Sequence, residues 1–136
     1  MRKVAFIAFI SLLAGNAIAA DDFDARVAKA TKVERSSPEG RDYLLQHFMP
    51  DMDQPTTDVM AQCLKGGAIG TTERFIVVAD IQADGSFANI AVQPVNARTT
   101  CYVEKLAALK APTPPEKFAD EGMPIVIKAS QEYLGE

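Results

Sequence analysis

The feature that most constrains this chain is a change of hydrophobic period at residue 73. From there ERFIVVADI alternates, with Phe75, Val77, Ala79 and Ile81 on one face and Ile76, Val78 and Asp80 on the other, the period-2 pattern of a β-strand. Ala83-Asp84-Gly85-Ser86 carries the Asp-Gly signal of a tight hairpin turn. SFANIAVQPV follows as a second strand, and Pro94 confines that part of it to a sheet edge or to its end. Thr99 or Thr100 is placed to cap a helix, CYVEKLAALK, with Val103, Leu106 and Ala107 as its apolar stripe. Pro112, Pro114 and Pro115 end that helix. MPIVIKA then reads as the last strand, Ile125, Ile127 and Ala129 alternating with Val126 and Lys128. This order predicts an α+β fold built on a small antiparallel three-stranded sheet, β-β-α-β, with a covering helix.

Upstream the period is helical. Asp21 to Arg35 spaces Phe23, Val27 and Ala30 as one loose face. Ser36 and Glu39 form a capping-box pattern for a second helix, whose face of Tyr43, Leu44, His47 and Phe48 is expected to end before Pro50. Asp51 to Pro55 reads as a turn-rich connection. Thr56 or Thr57 then caps a third short helix with Val59, Met60, Cys63 and Leu64 on one side, stopped by Gly66-Gly67. The expected division is a leader over 1–19, a helical segment over 20–66 and the sheet domain over 67–136.

The leader has the tripartite form of a secretory signal: Arg2 and Lys3, an apolar run from Val4 to Ala14, and a small-residue exit at Ala17-Ile18-Ala19. An uncleaved anchor is the alternative, but Ser11, Gly15 and Asn16 interrupt the run. Cleavage after Ala19 leaves 12 basic and 18 acidic residues and a mature charge of −6. That sign argues against a nucleic-acid partner. No later segment has the length and hydropathy to enter a membrane. The expected location is the periplasm or the exterior, where two cysteines, Cys63 and Cys101, are most simply one disulfide. A helix N-terminus also lowers a thiol's pKa, so a reactive Cys101 is the competing reading; it lacks a C-x-x-C motif and a neighbouring His.

The stretch from Phe75 to Ala129 resembles the C-terminal domain of the TonB and TolA family of periplasmic proteins, as a short stand-alone member. The matching pieces are FIVVADI, ADGS, FANIAV, YVEKLAALK, APTPP and GMPIVIKA, in that order. The resemblance implies a two-layer β-β-α-β unit that recognises partners at its sheet. Three departures limit it. The leader looks cleaved and only about 50 residues precede the first strand, so no force-carrying span is expected. Pro94-Val95-Asn96-Ala97-Arg98 stands where a small turn is common, and the two cysteines have no counterpart.

A catalytic set is not assembled by these residues, so no enzyme and no cofactor is expected. His47 is the single histidine and reads as a packed, hydrogen-bonded residue of its helix. Asp51 and Asp53 form an acidic pair without the spacing of a calcium loop. The expected function is binding of another envelope protein or peptide by strand addition at the last strand, with Met123, Ile125, Ile127 and Ala129 as the edge and Lys128 blunting self-pairing. The alternative is a secreted ligand-binding protein or enzyme with a pocket between the helical segment and the sheet.

Overall fold

The computed structural model describes residues 20–63 and 74–130, with side chains described from Asp22 to Ala129. The leader and Gly66-Gly67 lie outside the described residues. The order is α1 (Ala20–Ser36), α2 (Pro38–Tyr43), a π-helical turn (Leu44–Phe48), α3 (Met49–Cys63), β1 (Arg74–Ile81), β2 (Phe87–Gln93), α4 (Ala97–Ala107), a 3₁₀ turn (Glu116–Phe118) and β3 (Met123–Ser130). The sheet is antiparallel with strand order β2-β1-β3, so α4 carries the chain across β1. The α+β fold with a three-stranded sheet is therefore as expected.

The alternation in β1 does what its pattern dictates. Phe75, Val77, Ala79 and Ile81 enter one core with Met123 and Ile125 of β3, Phe87 of β2, Tyr102 and Leu106 of α4, and Met52, Val59, Met60 and Cys63 of α3. The helical segment and the sheet thus share a single core. Phe75 and Tyr102 meet edge to face with centroids 5.1 Å apart. The opposite face of β1 is also covered: Val78 is buried, and α1, with Phe23 and Ala30 buried, packs on β3 and β1. Arg26 of α1 donates to the Asn89 carbonyl and lies 3.9 Å from Asp80, tying α1 to both β2 and β1.

Helix boundaries are where expectation and structure part. The cap of α2 is Ser37, not Ser36, and its hydroxyl accepts from the Gly40 N–H at 3.2 Å. The helix expected to stop before Pro50 continues to Cys63, and the turn-rich connection at Asp51–Pro55 is helical. Pro50 comes just after the π turn, where the hydrogen-bond ladder has already left the regular α-helical pattern. Pro55 lies inside α3, and beside it Thr56 is no cap: its hydroxyl donates back to the Met52 carbonyl at 2.6 Å and to Asp53 at 3.2 Å. The cap of α4 is Asn96, whose side chain accepts from the Arg98 and Thr99 N–H groups, each at 3.0 Å, while Thr99 accepts from the Asn96 N–H. Starting at Ala97 turns the helix so that Thr99, Tyr102 and Leu106 form the buried stripe. Val103 is half-buried and Ala107 exposed, correcting the expected face.

Strand β2 ends at Gln93, just before Pro94, as a proline requires. Between the pairs Val78–Ala91 and Asp80–Ala88 the register slips, so two β2 residues stand opposite one of β1. Asn89, at φ 52°, takes up this bulge, and its amide donates to the Asp80 carboxylate at 3.0 Å. In the hairpin turn, Asp84 accepts from the Ser86 amide and hydroxyl and from Lys110. The Ser86 hydrogen bonds, then Lys110, hold its carboxyl far below the usual range.

Two phenols titrate late. Burial pushes Tyr102 up to about 12. Burial, then the Asp51 charge, pushes Tyr43 up to about 12, while its hydroxyl donates to the Pro112 carbonyl at 2.6 Å. Because both folded values lie above the ordinary 10.0, the contribution is whole below pH 10 and is lost as pH rises toward about 12. In a Tyr133→Phe variant, which keeps only these two phenols, phenolate absorbance at 295 nm is expected to appear together with unfolding across that window. Titration at pH 10 with the fold intact would contradict it.

Candidate functional site

A groove lies beside the edge of β3 that faces away from β1. β3 pairs with β1 along Met123–Ser130 and, among the described residues, its other side carries no strand. The continuous helix formed by α2, the π turn and α3 lines concavities together with the second half of β3. A π turn inserts one extra residue per turn, which rotates the side chains before it relative to those after it. Leu45 and Met49, each one position on from Leu44 and Phe48, lie outside the core, 57% exposed, while Leu44 and Phe48 pack against it.

Two concavities follow. One encloses about 490 Å³ between Leu44, Leu45, Phe48 and Met49 of the helix and Val126 and Ile127 of β3, with Glu34, Arg35 and Arg41 at its rim. The next, about 340 Å³, continues along Met49, Met52 and Met60 toward Ile127, Lys128 and Ala129, with Asp53 at its border. Phe48 and Met49 line both, so the two form one trough along the strand. Methionine suits such a surface, because an unbranched thioether adapts to differently shaped partners.

The predicted edge residues divide. Met123 is 0% and Ile125 3% exposed, so both side chains belong to the core. Ile127 and Ala129 are half-buried and line the trough, and Lys128 is exposed. A partner at this edge therefore meets the backbone of β3 and the side chains of its second half. Leu45 and Met49 were not singled out in the sequence. Their i, i+4 spacing was the signal, hidden by the expected break at Pro50.

No protein-family model, curated protein or solved structure matches the chain. The site is thus read from its own geometry.

Cys63 and Cys101 form a disulfide, with Cα atoms 5.6 Å apart, joining α3 to α4. The expected disulfide is thus present, and the competing reading of a first-turn thiol fails: Cys101 lies in the second turn of α4, since the helix begins at Ala97. His47 is exposed, not packed; its ring lies 6.3 Å from that of Tyr43. Asp51 and Asp53 are exposed on α3, where residues two apart point away from each other. Among the described residues no group of three His, Cys, Asp or Glu side chains is placed to hold a metal. No helix among them is long and apolar enough to cross a membrane.

Proposed function

We propose that this protein is an exported, periplasmic or secreted, non-enzymatic interaction module that binds an extended segment of an envelope protein by strand addition to β3. The observation that carries this reading is the coincidence of a strand edge that pairs with no further strand among the described residues with an apolar trough beside it. An edge supplies backbone hydrogen bonds for affinity, and a trough supplies contacts for alternate side chains. The disulfide supports export, since such bonds persist in oxidising compartments. The β-β-α-β order, with the last strand at an edge, supports relation to the TonB and TolA C-terminal domain. The added α1 layer and the disulfide give this chain its own variant of that plan.

Strand addition makes a test at single-residue spacing. Successive residues of a strand point their N–H groups to opposite sides, so of Ile127 and Lys128 one faces β1 and the other faces outward. Take a peptide selected on the full chain from a random octapeptide library. It should slow exchange of alternate β3 amides between Val126 and Ala129. Of Ile127→Pro and Lys128→Pro, the one that removes the outward N–H should abolish binding while circular dichroism stays native. Undiminished binding to both folded variants rejects the proposal.

A further inference from the structure

Val126 and Ile127 point to opposite faces of the sheet, being opposite Val78 and Val77 of β1, yet both line the larger concavity. The trough therefore wraps around the edge and presents a different surface to each face. On the Ile127 side stand Phe48 and Met49, continuous with the core. On the Val126 side, under α1, stand Glu34, Arg35 and Arg41.

That second surface is locally cationic, two guanidinium groups to one carboxylate, on a chain whose net charge is −4. Arg41 donates to the carbonyls of Glu34 (3.4 Å) and Arg35 (2.6 Å), which closes the C-terminal end of α1 and fixes its guanidinium beside Arg35. Those two bonds use part of a group with five N–H donors, so donors are left for a carboxylate.

A strand laid along β3 would alternate its side chains between these two surfaces. Resting on the strand-addition reading, we infer that the partner is an extended peptide in which an acidic residue is flanked on both sides by apolar ones. The apolar pair sits toward Phe48 and Met49, and the carboxylate toward Arg35 and Arg41. Such a pattern selects by charge on one face and by adaptable apolar packing on the other.

The test is a phage-displayed library of random octapeptides panned on the full disulfide-bonded chain and, in parallel, on its Arg35→Glu variant. Arg35 is exposed and outside the core, so its variant is expected to keep the fold. The native chain should enrich apolar–acidic–apolar peptides, with the acidic position favoured about fivefold, the discrimination of a partly exposed ion pair. The variant should shift that position to Lys or Arg. Apolar alternation without acidic preference, or an acidic preference unmoved by Arg35→Glu, overturns this inference and leaves strand addition standing. If no peptide is enriched, or if enriched peptides bind the Ile127→Pro and Lys128→Pro variants like the native chain, strand addition itself is overturned.

Discussion

Replacing Cys63 and Cys101 together by alanine is expected to lower the stability of the folded chain by about 4 kcal/mol. The two residues are 38 apart in sequence, and chain-entropy reasoning assigns a cross-link closing a loop of that size roughly this much. The bond ties α3 to α4 across the core that both helices lay on the sheet, and the loop it closes contains the whole β1–β2 hairpin. Breaking it leaves the folded contacts nearly unchanged and frees the unfolded chain. For a domain whose total stability is about 5–15 kcal/mol, the reduced protein would be marginal. Urea unfolding of the oxidised chain beside the double variant measures the difference. A loss below about 1 kcal/mol would show that the unfolded chain is already held compact without the bond.

Gly85→Ala should cost nearly as much, about 3 kcal/mol. Gly85 sits at φ 85°, where an L side chain costs about 1–2 kcal/mol, and a Cβ placed there would lie 2.1 Å from the Ala111 carbonyl oxygen. That oxygen is backbone and cannot rotate away. The Ala111 N–H donates to the Gly85 carbonyl at 2.8 Å, and Ser86 bridges to Lys110, so the turn and the chain leaving α4 are built into each other. Gly122 is the control: its φ is 83°, but its nearest neighbours would be side-chain atoms at 3.1 Å. Gly122→Ala should therefore lose the conformational part and a smaller steric one, against Asp80 Cβ at 3.1 Å. Equal losses at both positions would show that the close approach to Ala111 contributes nothing.

The sheet was legible in the sequence because its signals are local and redundant. The alternation of β1, the Asp-Gly turn and the position of Pro94 each point to the same hairpin, and the structure keeps all three. The helical half was misread where one residue type was given too much authority. Pro50 and Pro55 looked like breaks, but the helix runs through both, Pro50 just after the π turn and Pro55 inside α3. Asn96, five residues before the helix that the pattern suggested, outcompeted Thr99 as a cap by accepting two backbone N–H groups.

The candidate site was half legible. β3 announced itself as the last strand, and its edge position is found in the strand order. The trough was not read because Leu45 and Met49 lie beside the face of Tyr43, Leu44 and Phe48, and what they border depends on how the helix sits against β3. Tyr102 was overlooked for a related reason: moving the helix start by a few residues redraws which side chains share a face.

The bulge in β2 has a consequence for how many chains can gather around one another. The Asn89 carbonyl is already taken by Arg26, and the local slip at Asn89 breaks the even spacing that another strand would have to match. The sheet consequently has one open end and one closed end. Copies of the chain should therefore not link head to tail, the β2 edge of one on the β3 edge of the next, into a continuous stack.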